Sequence, residues 1–225
     1  ERSSRWGLGC SWPFGAAARG KMASLFVPWR SAPRRDDDAV TEALFQRARV
    51  HLDTALTERS FLLNKDLSVV RPYLVVGSAR EAYEVEKLRT HNCLAVLNFA
   101  GGFVNTPEGF YGEGVEYHAY NAEDDDDYDI LQHLQEAHEI ITRTRDNGGA
   151  TYVHCVAGVN RSVSIVVGHL ILEGLSLQEA VEAVTQVRPM VLSNDSFLRA
   201  LARLSCRRLL QPAHPPPPGD EAKET

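Results

Sequence analysis

Apolar residues follow two patterns along this chain. Short, mostly apolar runs at 67–70, 73–76, 94–98, 115–119 and 151–153 read as strands. Elsewhere apolar residues return every three or four positions, which predicts helices. The first such span carries Val40, Leu44, Ala48, Leu52 and Leu56 behind Asp36-Asp37-Asp38, acids that suit the positive end of a helix dipole. Ser78-Ala79-Arg80-Glu81 and Ser176-Leu177-Gln178-Glu179 read as capping boxes, opening helices to about His91 and to just before Pro189. Further helices are expected over 128–145, stopped by Asp146-Asn147-Gly148-Gly149, over 163–172 and over 194–210. Strands alternating with helices give an α/β domain built on a central, twisted, mostly parallel sheet with helices on its faces.

The patterned region, 36–210, reads as a single domain, with 36–60 as an extra N-terminal helix packed on its core or offered to a partner. Residues 1–35 hold seven Lys/Arg and one acid without periodicity, and are expected to be disordered or non-native. Lys21-Met22 suggests a start inside this stretch, the Arg- and Ser-rich composition alternatively suggests mitochondrial targeting, and 25–29 reads as a short hydrophobic clip. From 211 to 225 the chain reads as a disordered Pro-rich tail, with a polyproline reader as an alternative partner.

Hydrophobic content of 44% and charged content of 24% suit an ordinary globular domain. A net charge of −6 gives no reason to expect nucleic-acid binding, and no apolar run is long enough to span a membrane. Cys10, Cys93, Cys155 and Cys206 are widely spaced and form no metal-ligand pattern. His133 and His138, five apart, point to different helix faces, so neither a metal nor any other cofactor is expected. The unpaired cysteines favour a reducing compartment, cytoplasmic or nuclear.

Chemistry concentrates in His154-Cys155-Val156-Ala157-Gly158-Val159-Asn160-Arg161-Ser162, between a strand and a helix. The residues from Val156 to Asn160 can wrap so that successive backbone N–H groups form a nest for an oxyanion, with Gly158 supplying conformational freedom. The following helix adds its free N-terminal donors, and Arg161 a planar fork able to grip two phosphate oxygens. A cysteine at the base of such a nest is expected to be a thiolate nucleophile, with Ser162 donating to the sulfur when it leaves.

The His-Cys-x5-Arg-Ser string resembles the cysteine-based protein tyrosine phosphatase superfamily, and its surroundings resemble the atypical dual-specificity branch. The resemblance runs from about Leu67 to about Leu210. Arg71 to Gly77 resembles the first strand and turn, Leu94 to Asn98 the strand ending in Asn, and Arg188-Pro189 with Asn194 and Phe197 the late segment whose Asn braces the catalytic loop. The resemblance implies a single phosphatase domain that needs no cofactor, with His154 as a hydrogen-bonding brace and not a base.

It also implies a general acid on a loop one helix and one strand before the cysteine. Residues 123–129 hold six acids in seven positions; alignment of the preceding strand puts the acid at Asp124, with Asp125 and Asp126 as competitors. The catalytic and acid loops are expected to leave the C-terminal ends of neighbouring strands. The first reading is a dual-specificity phosphatase acting on phosphotyrosine and phosphoserine/phosphothreonine of proteins through a phosphocysteine intermediate. The loop interior carries no Lys or Arg, which argues against phosphoinositides. Gly-x-Asn-Arg also resembles the RNA 5′-phosphatases, and Ala-Gly-Val-x-Arg the glucan phosphatases, so a non-protein substrate is an alternative. A phosphate-binding adaptor with little turnover is another. Ser193 stands where a Pro often precedes the bracing Asn, which puts that brace in question.

Overall fold

Strand β5, Ala150–His154, lies at the centre of a five-stranded sheet of order β1-β2-β5-β3-β4. The computed structural model describes residues 35–59, 66–107 and 109–210, all within one compact unit. The readings of 1–34 and 211–225, with the clip at 25–29, lie outside these residues. β1 (Ser68–Arg71) pairs antiparallel with β2 (Leu74–Gly77). β2, β5, β3 (Cys93–Asn98) and β4 (Glu116–Ala119) are mutually parallel. Gly77, His154, Asn98 and Ala119 stand in register at the C-terminal edge, where such sheets keep their ligands. The acid loop therefore leaves edge strand β4 and the catalytic loop leaves β5. They are not neighbours as the sequence suggested, because β3 pairs with both and lies between them.

Both faces of the inner strands β2, β5 and β3 are covered, which is why these read as nearly unbroken apolar runs, whereas edge strand β4 carries Glu116 and His118 and has no buried residue. Leu74, Val76, Ala95, Leu97 and Val153 face the larger core beneath α4 (Leu134–Asp146), α5 (Arg161–Leu172), α6 (Leu177–Thr185) and α7 (Asp195–Leu210). Val75, Val96 and Tyr152, one residue out of phase, face a smaller core with Ala82 and Leu88 of α2 (Ala79–Ala82) and α3 (Val85–Thr90). Among the described residues, no helix is long and apolar enough to cross a membrane.

Both capping boxes form: Ser78 and Ser176 each accept from a backbone N–H, while Glu81 and Glu179 return to the cap N–H. The helix expected over 78–91 breaks at Tyr83-Glu84 and restarts as α3, which turns Leu88 into the smaller core. The helix expected from 128 starts instead with a 3-10 turn, Ile130–His133, that buries the adjacent Ile130 and Leu131. Gly148, at φ 77°, follows the end of α4.

α1 (Arg35–Arg59) packs on α6 and α7, but not through the stripe read from the sequence. Phe45, Ala48, Leu52 and Ala55 are buried, whereas Val40 and Leu56 are exposed. A strict four-residue repeat advances roughly 40° per step around a 3.6-residue helix, so only its middle members share the buried face.

Candidate active site

The catalytic loop owes its shape to bonds made by its carbonyls. Ala79 N donates to Val156 O at 3.0 Å and Leu192 N to Val159 O at 2.9 Å. Between these, Arg188 Nη2 donates to Ala157 O at 3.1 Å and Nε to Gly158 O at 2.6 Å. Four successive carbonyls are thus drawn outward by three residues from two separate parts of the chain. A peptide unit whose carbonyl points out presents its N–H inward, which is how a nest is made. Gly158 sits at φ 67°; a Cβ there would lie 2.4 Å from Gly77 O and 2.5 Å from Arg188 Nη2. Both the left-handed backbone and the close approach of β2 therefore require glycine.

Cys155 is buried at the base of the loop. Its sulfur accepts from Gly158 N at 3.2 Å and from Ser162 Oγ at 3.4 Å. His154 is also buried; its Nδ1 lies 3.2 Å from Cys155 O, and burial lowers its pKa to about 4. It therefore stands neutral at neutral pH, with Nδ1–H donating to the carbonyl. Cys93, by contrast, is a buried strand thiol pushed up to about 12 by desolvation.

Arg161, first residue of α5, is nearly buried, with Nη1 donating to Ala122 O at 3.0 Å. Its Nε lies 3.8 Å from Asp124 Oδ2, so the arginine joins the acid loop to the catalytic loop. Of the three candidate acids, Asp124 is the one that hydrogen-bonds to that loop. Asn160 Nδ2 donates to its two oxygens at 3.2 and 3.3 Å, and Asn194 Nδ2 donates at 3.3 Å. Asp125 instead accepts from Asp127 N at 3.0 Å within its own turn; all three carboxyls are exposed, so hydrogen bonding and not burial separates them.

Two residues of the expected site make side-chain contacts that the sequence did not indicate. Asn160, whose backbone N–H was expected to line the phosphate nest, turns its side chain to the acid loop and the segment before α7. Besides Asp124, its Oδ1 accepts from Ser193 Oγ at 3.1 Å and Asn194 N at 3.2 Å. Ser193, which put the brace in question, thus contributes to it. Asn194's side chain holds Asp124 and caps α7, with Oδ1 accepting from Phe197 N at 3.1 Å; the brace on the loop carbonyls comes from Arg188. Arg188 is fully buried, and it also donates to Asp66 O at 2.9 Å. Sequence reasoning missed it, since an Arg before a Pro carries no sign of burial.

A sulfur under a nest of amides, an arginine at the rim and one carboxyl held above it form the set needed for phosphoryl transfer. Residues 74–206 match the family model described as dual specificity phosphatase, catalytic domain. The chain belongs to that family. It is 36% identical over 145 residues to dual specificity protein phosphatase 26 of Bos taurus, covering 63% of this chain and 68% of the relative. It is 30% identical over 193 residues to protein phosphatase Slingshot homolog 3 of Rattus norvegicus, covering 80% of this chain and 29% of the relative. The chain therefore spans less than a third of that relative, and 62% of dual specificity protein phosphatase 19 of Mus musculus. The crystal structure of human DUSP28 aligns with a TM-score of 0.58 at 28% identity, covering 64% of this chain and 95% of that one. The match to the dual specificity phosphatase family begins at Leu74, so α1 and β1 lie outside it.

Proposed function

We propose that this chain hydrolyses phosphotyrosine and phosphoserine/phosphothreonine in proteins through a phosphocysteine intermediate. The observation that carries this reading is the fixed orientation of the loop from Val156 to Val159 over the sulfur of Cys155. The substrate's phosphate oxygens accept from the loop amides and from Arg161. The Cys155 thiolate attacks phosphorus in line, the bond to the leaving oxygen breaks, and Asp124 delivers a proton to that oxygen. In the second step Asp124 takes a proton from water, whose oxygen attacks phosphorus. The P–S bond breaks, its electron pair returns to sulfur under the hydrogen bond from Ser162, and inorganic phosphate leaves.

Protein substrates are favoured over RNA 5′-phosphate or phosphoglucan because relatives of this chain are named as protein phosphatases. A thiolate of this kind suits a reducing compartment, the cytoplasm or nucleus. The decisive experiment compares wild type, Cys155→Ser and Arg161→Lys on tyrosine- and threonine-phosphorylated peptides. Cys155→Ser is expected to lose turnover while still binding phosphopeptide, since a hydroxyl is not ionised at neutral pH. Arg161→Lys keeps the charge but loses the fork, and is expected to lower kcat by at least about 10². Turnover by Cys155→Ser within tenfold of wild type would exclude the covalent route.

A further inference from the structure

The helices that follow the two active-site loops meet in a cluster that phosphatase chemistry does not use. His138 of α4 and His169 of α5 approach with Nδ1 to Nδ1 at 2.9 Å. Glu173 follows His169 by four residues, on the same face of α5. One ligand atom from each of His138, His169 and Glu173 lies within 4.8 Å of the others. The geometry points to a binding site for a zinc-class divalent cation, clasping α4 to α5. The site is separate from the phosphate nest, since eight residues of helix between Arg161 and His169 span roughly 12 Å. Spacing along α4 could not reveal it, because the second imidazole comes from another helix.

Two imidazoles and one carboxylate form a donor set that suits zinc or a neighbouring transition metal. Tetrahedral zinc with nitrogen ligands at about 2.0–2.1 Å places them roughly 3.3 Å apart, so the two rings need part only slightly. His169 is fully buried and edge-on to the Tyr73 ring at 6.0 Å, which fixes its plane. His138 is partly buried and Glu173 is exposed, leaving a way in for the ion. Glu173 already has an outer partner: Arg145 Nη1 donates to its Oε2 at 2.6 Å, leaving Oε1 for the metal. Carboxylate ligands are commonly steadied by such a second bond. At 2.9 Å the two Nδ1 atoms can share one proton between neutral rings. For both Nδ1 atoms to face the ion, each neutral ring carries its single proton on Nε2; on His169 that atom is buried without a protein partner, a cost that metal binding has to offset.

The test uses the full chain carrying Cys155→Ser, which removes the active-site sulfur as a rival ligand. After chelation and dialysis, zinc(II) is titrated by calorimetry and cobalt(II) by visible absorption, with melting temperature followed in parallel. The expected result is one equivalent bound and a raised Tm. His138→Ala and Glu173→Gln should each weaken binding by more than the roughly 10–100-fold that outer-shell changes cost, and abolish the Tm rise. Glu173→Gln keeps the side chain's shape, so it reads the site even if His138→Ala destabilises the metal-free fold. Failure of the parent to bind either ion would overturn the proposal. So would binding that survives both substitutions, which would place the ion on other residues. Either outcome leaves the phosphatase reading intact, because that is tested by turnover with Cys155 in place.

Discussion

Arg188 Nε donates to the carbonyl of Gly158 at 2.6 Å, joining the segment after α6 to the floor of the catalytic loop thirty residues earlier. The same guanidinium reaches Ala157 O, so one side chain holds two adjacent peptide units. Lysine at this position keeps a charge but cannot span both carbonyls. Each buried acceptor left without a donor costs about 1–3 kcal/mol. With one of the two carbonyls left without a donor, Arg188→Lys is therefore expected to lower stability by about 1–3 kcal/mol in urea unfolding. At a temperature where it remains folded, its kcat/KM should fall by at least about tenfold, a change of about 1.4 kcal/mol in transition-state stabilisation. A variant with wild-type kcat/KM would mean that the loop holds its shape without this brace.

The side chains around Asp124 predict which acid works and what aims it. Asn160 and Asn194 both donate to Asp124, whereas Asp125 turns back on its own loop. Asp124→Asn is expected to lower kcat on a phosphopeptide by about 10²–10⁴, and by less on an aryl phosphate whose leaving group needs little help. Asp125→Asn and Asp126→Asn should leave both rates near wild type. Asn160→Ser should fall between, with a larger loss on the phosphopeptide than on the aryl ester, because it removes one of the acid's two amide partners and leaves the acid in place. If Asp125→Asn or Asp126→Asn shows the selective loss and Asp124→Asn does not, the proton comes from further along the run.

What could be read from the sequence followed the range of the interactions involved. Capping boxes, strand runs and the nest around Cys155 depend on residues a few positions apart, and their letters carry the information. The order of strands does not, which is why β3 intervenes between the two loops unannounced. Arg188, Ala79 and Leu192 act through groups distant in sequence, two of them through backbone N–H groups that no side-chain motif encodes. Asn160 sits inside the motif, yet its task depends on Asp124, Ser193 and Asn194 arriving from elsewhere. The buried face of α1 escapes the sequence pattern for a different reason: a repeat of four drifts around a helix of 3.6.

Helix α1 predicts a contribution to catalysis from outside the family match. Arg49 Nη2 donates to Leu192 O and lies 3.2 Å from Asp195 Oδ1. Leu192 holds a left-handed backbone, φ 53°, uncommon for a side chain of its size, while its own N–H holds Val159 O. Such strain persists only where surroundings enforce it. Arg49→Ala should relax Leu192 and loosen the loop it supports. The expectation is a fall of about threefold to tenfold in kcat on phosphopeptides, within the roughly 1.4 kcal/mol that one tenfold step represents. Arg49→Lys should recover part of it through the ion pair with Asp195. Equal stability loss in both variants with unchanged kcat would show that α1 serves packing alone.

His154 predicts a stability that falls as the solution is acidified. Its imidazole is fully buried, and the Nε2 atom has no hydrogen-bond partner, so a second proton has no place in the folded state. Desolvation lowers the pKa from 6.5 to about 4. The unfolded chain begins to take up this proton near pH 6.5, while the folded chain stays neutral until near pH 4. Between those values the unfolded state binds more protons, and stability drops as pH drops. The full contribution is present above pH 6.5, and its loss is complete below pH 4, amounting to about 3 kcal/mol at most. His154→Asn keeps an amide donor near the Cys155 carbonyl but has nothing to titrate. Urea unfolding of both proteins from pH 7.5 to pH 4.5 should show the wild type losing stability faster, with the difference growing below pH 6.5. Other buried histidines titrate equally in both, so parallel curves would mean that His154 accepts its proton without leaving the fold.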